Sequence, residues 1–218
     1  MLTFTKVYTK LHRHYGPQSW WPAESAFEVM VGAVLTQNTS WTNVEKALDN
    51  LKEHNLMSCD AILNLDHDNL ARLLKPSGYF NLKAKRLKNL CEWLAAKKDL
   101  TDCVTDELRT ELLSINGVGP ETADDILLYA YERPVFVIDA YTRRIFSRLG
   151  LVNKDRPYDE LRLLFEKQLT RHKNKVELYN NYHALIVLHA KDVCRARKPD
   201  CEKCCLRLQC DFSLKGGN

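Results

Sequence analysis

Glycine and proline are scarce, at 8 and 7 of 218 residues, while leucine and alanine are plentiful, and that balance predicts a mostly helical chain. No apolar run reaches the roughly 18 residues that a membrane helix needs, which excludes a membrane-spanning segment of that kind. The N-terminus lacks a signal-peptide pattern, so a soluble, intracellular protein of the cytoplasm or nucleoid is expected, with no membrane partner. No internal repeat at a fixed period and no low-complexity tract occurs, which excludes a solenoid. Cysteine, by contrast, is plentiful: eight are present, and five of them fall within the last 25 residues. In an intracellular chain that crowding points to a metal or cluster site rather than to disulfides. The formal charge of +4 is modest, but of the sign that suits nucleic acid.

Helical spacing recurs along the chain. Phe4, Val7, Leu11 and Tyr15 mark a first helix, ended by Gly16-Pro17, and a loop with Trp20 and Trp21 side by side follows. Phe27 to Leu35 is apolar nearly all round and predicts a buried central helix. It gives way abruptly to Thr36-Gln37-Asn38-Thr39-Ser40-Trp41, a polar amide loop that can serve either as a plain cap or as a wedge filling the hole left by an extruded base. Further helices are expected at Asn43 to Leu51, twice within Asp60 to Leu74, and at Leu82 to Ala96, with Lys75 to Asn81 a turn. On the last of these, Lys83, Lys85, Arg86 and Lys88 read as a solvated face or as a share of a DNA surface. Pro157 to Leu169 and Val176 to His189 complete the helices, and His183 and His189 carry no assigned role.

The densest stretch runs from Leu112 to Phe146. A short helical run, Glu107 to Ile115, breaks at Asn116-Gly117-Val118-Gly119, and Pro120 opens a second helix at its first turn, where the missing N–H costs nothing. Two glycines around one valine allow a sharp turn and a close approach to another molecule. The amides of that turn and of the helix start are expected to face an anion, and in a basic protein that anion is a phosphate. Pro134 to Ile138 is then an apolar run ending in Asp139, where a new helix begins with Arg143 and Arg144 in its first turns. A carboxylate delivered by a buried segment, near a phosphate-binding turn, suggests chemistry on DNA. Asp before a helix is also the usual N-cap, and both readings stand.

Cys194, Cys201, Cys204 and Cys210 follow the spacing C-x6-C-x2-C-x5-C. Four thiolates from one short closed loop suit a four-iron cubane. The same residues can in principle bind zinc, although zinc sites more often use two close C-x-x-C pairs. Cys205 adds a one-residue ambiguity, and Cys204 preserves the full spacing. Arg195, Arg197, Lys198, Lys203 and Arg207 give this loop a basic face for the phosphate backbone.

The wedge-like loop, the hairpin followed by Val137-Ile138-Asp139, and the cysteine loop together resemble the endonuclease III, or helix-hairpin-helix (HhH-GPD), superfamily of DNA glycosylases. Trp20-Trp21-Pro22, Gly32 to Thr39, and Pro76-Ser77-Gly78 before an aromatic pair are similar to its 3-methyladenine DNA glycosylase branch. Members of that branch need not carry an iron-sulfur loop, so the chain combines features of two branches. The resemblance implies an all-α fold of two helical domains around an interdomain cleft. Residues 23–133 form one, with the helix-hairpin-helix at about 107–131. Residues 1–22 plus 134–218 form the other, with the cluster loop at 194–210. It implies a [4Fe-4S] cluster on the four cysteines and catalysis by Asp139. Gly117, Val118 and Gly119 bind DNA phosphate, Gln37 is the wedge with Asn38 as the second choice, and Trp21 and Trp41 stack on the base. The partner is double-stranded DNA with a damaged base, and the protein acts as a monomer.

Bifunctional members of the superfamily carry a lysine two residues after the second hairpin glycine, and here that position is Glu121. A lysine attacks the sugar as an amine and permits strand cleavage, which glutamate cannot do. The expected function is therefore monofunctional hydrolysis of the N-glycosidic bond of a damaged base, an alkylated purine, with Glu121 in the base pocket or simply favourable at a helix start. Two other classes remain: a bifunctional glycosylase/lyase acting on oxidised pyrimidines, and a non-catalytic DNA-binding protein.

Overall fold

The computed structural model describes residues 1–18, 20–97, 100, 103–170 and 172–216. Its α-helices, in chain order, are α1 (Phe4–Tyr15), α2 (Ala26–Leu35), α3 (Trp41–Glu53), α4 (Cys59–Asn64), α5 (His67–Leu73), α6 (Phe80–Ala96), α7 (Thr105–Ser114), α8 (Pro120–Asp125), α9 (Ala140–Arg148), α10 (Tyr158–Gln168), α11 (Lys175–Asp192) and α12 (Asp211–Leu214). Among the described residues there is no strand, and the fold is all-α. No helix among them is long and apolar enough to cross a membrane. The starts follow capping chemistry. Thr3, Ser25, Ser58, Asp66, Asp139 and Asn174 each accept a backbone N–H of the first turn into a side-chain oxygen.

The chain divides into two compact units, Ala23–Arg133 and Met1–Pro22 with Pro134–Asn218. In the first of these, α2 is buried along almost its whole length, from Glu28 to Leu35. An apolar helix of that kind is stable only when covered on all faces. Glu28, buried with it, is neutralised by Lys52 at 2.8 Å. The basic residues of α6 are not the solvated face that their spacing suggests. Lys83 is 1% exposed, and its ammonium donates to the Leu35 carbonyl at 2.8 Å and the Ser77 carbonyl at 2.6 Å. Arg86 donates to Gln37, and Lys88 to the carbonyls of Leu63 and Leu65. The physical reason is helix termination. α2 and α4 end in carbonyls with no intrahelical partner, and long cationic side chains from α6 reach them. Lys85, between them, is the exposed one. The turn expected through Asn81 is also shorter, because α6 begins at Phe80.

The other unit has an aromatic core. Phe165 stacks on Phe136 at 4.6 Å between ring centres and meets Phe4 and Phe146 edge-on at 4.7 and 4.5 Å. Tyr182, fully buried on α11, donates its hydroxyl to the Phe4 carbonyl at 2.8 Å. Val135 to Ile138 runs extended through this core without belonging to a sheet. Its amides find side chains instead: Phe136 N–H donates to Glu166 at 3.1 Å and Ile138 N–H to the Tyr158 hydroxyl at 3.3 Å. This buried segment delivers Asp139 to the start of α9.

Candidate active site

The hairpin joins α7 and α8. Gly117 has φ 102, a left-handed conformation, and a Cβ there would lie 2.2 Å from Arg86 Cγ, so the position requires glycine on two counts. Gly119 is different: its φ is −92, and the space where a Cβ would project is open, as close approach by a ligand requires. Val118 N–H donates inward to Ile115 O at 3.0 Å, so it is not among the outward amides expected from the sequence. Two partners pin the turn from outside. Asn89 donates to the Asn116 carbonyl at 2.8 Å, and Gln37 donates to the Gly117 carbonyl at 3.0 Å and the Thr122 hydroxyl at 2.9 Å. With Arg86 on its Oε1 as well, Gln37 is a strut of the hairpin. Asn38, the next residue, is exposed and sits at φ 55, at the tip of the turn after α2. Arg109 on α7 grips Asp124 on α8 in a buried two-point pair, at 2.7 and 3.3 Å. Glu121 is exposed in the first turn of α8.

Asp139 is 8% exposed and combines the two roles weighed from the sequence. Its Oδ1 caps α9 by accepting from Thr142 N–H at 2.6 Å, while Oδ2 lies 3.5 Å from Nε2 of His183 on α11. Burial alone raises a carboxyl pKa. Here the hydrogen bond and charge of His183, with the amide and hydroxyl of Thr142, outweigh it and hold Asp139 below its ordinary value of 3.8. The group is thus a buried carboxylate kept ionised. Trp21 and Trp41 are each half-buried, and the Trp41 indole N–H donates to Glu45 at 2.9 Å.

The cysteine loop follows α11. Cys194, Cys201, Cys204 and Cys210 line one cavity together with Arg148, Arg207 and Phe212, while Cys205 is not part of its lining. Burial pushes the Cys204 thiol up to about 12 and also raises Cys210, with neighbouring thiols adding to both shifts. Thiols raised in this way need a cationic group among them to become thiolates. Among the described residues no three Cys, His, Asp or Glu converge as ligands of a single ion. A cubane makes a different demand, one thiolate on each of four irons, and four cysteines around a shared cavity fit it. Arginines fasten the loop: Arg144 donates to Cys194 O at 3.0 Å, and Arg148 to Cys194 Sγ at 3.3 Å and Arg195 O at 2.8 Å. Arg195, Arg197, Lys198, Lys203 and Arg207 are exposed, giving the loop its basic face.

Residues 31–171 match the model of the HhH-GPD superfamily of base excision DNA repair proteins. The chain belongs to that superfamily. Within it, the chain is 52% identical to a protein of Methanocaldococcus jannaschii named as a DNA repair glycosylase, over 94% of each chain. It is 31% identical to endonuclease III of Sulfolobus acidocaldarius, covering 87% of this chain and 83% of that one. Among solved structures it is similar to the H. pylori 3-methyladenine DNA glycosylase with bound 1,N6-ethenoadenine, at a TM-score of 0.76 and 32% identity over 87% of this chain and 98% of the other.

As an HhH-GPD DNA N-glycosylase, the chain holds functional-site neighbours that sequence reasoning passed over. His183 sits 44 positions from its carboxylate partner, and no local pattern links the two. Likewise, His189 reaches Tyr15 and the Cys204 sulphur through the fold alone. Gln37 was legible as a polar loop residue, but its role as a strut needed the hairpin in place.

Proposed function

We propose that this HhH-GPD glycosylase removes alkylated purines by monofunctional hydrolysis, leaving the abasic strand uncut. The observation that carries the proposal is an ionised, buried Asp139 in a chain with glutamate where a lyase has its lysine. Breaking the glycosidic bond builds positive charge on the deoxyribose, and a fixed carboxylate in a dry site stabilises that charge. The same carboxylate orients or deprotonates the attacking water. A cationic leaving base such as 3-methyladenine already has a weakened bond and an electron-poor ring. Stacking on an electron-rich aromatic face then suffices for recognition, and Trp21 and Trp41 are the candidates to offer one. The H. pylori relative, named for 3-methyladenine, supports this substrate class. Gly117 and Gly119, on either side of the inward-bonded Val118, present backbone to a DNA phosphate, Asn38 is the wedge residue because it is exposed beside the engaged Gln37, and Glu121 accepts a hydrogen bond from the base. The working unit is a monomer on damaged duplex DNA.

Cys194, Cys201, Cys204 and Cys210 hold a [4Fe-4S] cluster in this reading. Cluster iron would supply the positive charge that turns these four thiols into thiolates, and the basic side chains around the loop grip the phosphate backbone. The 31% identity to an endonuclease III favours a second reading, a glycosylase/lyase on oxidised pyrimidines using another amine. A base-release assay over damaged duplexes, with nicking scored separately, decides between them. Release of 3-methyladenine and 7-methylguanine without nicking supports the first. Release of thymine glycol with a borohydride-trapped protein–DNA adduct supports the second.

A further inference from the structure

We infer that His189 is the hydrogen-bond donor to the Cys204 ligand sulphur, and that Tyr15 holds its ring in the donating orientation, an inference that rests on the cluster assignment above. His189 lies in the last turn of α11 and is 1% exposed. Its Nε2 is 3.5 Å from Cys204 Sγ, and its Nδ1 is 2.8 Å from the Tyr15 hydroxyl. Its carbonyl also accepts the Cys194 N–H at 2.8 Å, so one residue touches the loop at two of its cysteines.

Chemistry fixes the direction of these bonds. The Cys204 thiol of this structure stands in for a thiolate on iron, which has no proton and can only accept. Nε2 must then carry the hydrogen. In the neutral ring Nδ1 is left as the acceptor, and the Tyr15 hydroxyl donates to it. The result is a directed relay, Tyr15 to His189 to Cys204, reaching from α1 through α11 to the loop. Hydrolysis of a glycosidic bond has no use for such a relay. A cluster does, because N–H···S bonds draw electron density from a thiolate and so set how readily the iron is oxidised. Arg148 makes the corresponding contact to Cys194 at 3.3 Å. His189 is thus a positioning residue for the cluster, remote from the chemistry on DNA.

The test uses the iron-loaded protein and its His189→Phe, His189→Gln and Tyr15→Phe variants. Iron and sulfide content, the Fe–S(Cys) stretching bands and the oxidation equilibrium are measured. His189→Phe is expected to favour the oxidised cluster roughly ten-fold, equivalent to ~59 mV for a one-electron couple. Tyr15→Phe shifts it the same way by less. Gln, which keeps an N–H donor, restores part of the difference. If His189→Phe fails to retain iron, Tyr15→Phe decides, since it leaves the imidazole in place. Unchanged bands and equilibrium in Tyr15→Phe and in every iron-retaining His189 variant overturn the inference while leaving the cluster standing. Wild-type protein lacking iron and sulfide overturns the cluster assignment and the inference with it.

Discussion

Replacing Arg109 by methionine tests how the hairpin is held. Arg109 Nε and a terminal nitrogen meet the two Asp124 oxygens at 2.7 and 3.3 Å, and the side chains are 11% and 0% exposed. An exposed pair of this kind contributes at most about 1 kcal/mol. This one is enclosed, so removing the arginine breaks a buried ion pair from one side, at a cost of about 3–5 kcal/mol. For a chain of this length that corresponds to a fall in Tm of roughly 6–20 °C. Asp124→Leu added to Arg109→Met removes the other side of the pair and should recover most of the loss. Denaturant unfolding of wild type, both single variants and the double gives the coupling energy directly. Because the pair joins α7 to α8 on either side of the Gly-Val-Gly turn, Arg109→Met should also weaken binding to a duplex carrying an abasic-site analogue. The reasoning fails if Arg109→Met costs less than about 1 kcal/mol, or if the double variant is no better than the single.

Asp139→Asn should keep DNA binding while base release falls by roughly a hundred-fold or more, the scale of one lost electrostatic stabiliser, read by single-turnover kinetics. The pH profile should carry His183's signature. Asp139 is held below 3.8, so it stays ionised in the native protein as pH falls past that value, and the stability its ionisation contributes is full above 3.8 and is lost as pH drops from there through the lower native value. Removing the stabilising partner in His183→Phe leaves burial to raise the pKa, and the acid limb of base release should move to higher pH. Asn38→Gly, which accepts the φ of 55 without strain, should reduce release from paired DNA more than from single strands, with melting little changed. Gln37→Ala should instead lower stability by about 1–3 kcal/mol, since the partners around it are left unsatisfied. Cys204→Ser should lose iron and Cys205→Ser should retain it, as measured by metal analysis.

Apolar spacing made the longer helices legible to within two or three residues, because a helix that buries one stripe writes its period into the chain, whereas the single turn of α12 carries no such period. The N-cap at Asp139 and the cavity shared by the four cysteines were equally visible, since short range fixes both. What stayed hidden shares one cause. Lys83, Arg86 and Lys88 look like surface charge in sequence, yet they donate to the carbonyls of Leu35, Ser77 and Leu63 and to the side-chain oxygen of Gln37, reachable only once the helices pack. His183 and His189 were passed over for the same reason, as the groups that give them meaning lie on other elements.

Lys83 has a use beyond holding helix ends. Its pKa is pushed down to about 8 by burial and the nearby Arg86 charge, so in mildly alkaline buffer much of it is the neutral amine that attacks acylating reagents. Its nitrogen is nonetheless enclosed between two carbonyls. Acylation there must wait for the Ala23–Arg133 unit to open, whereas neighbouring Lys85 reacts from the surface at once. The ratio of the two labelling rates therefore reports how often this unit opens at Lys83, with no change to the sequence.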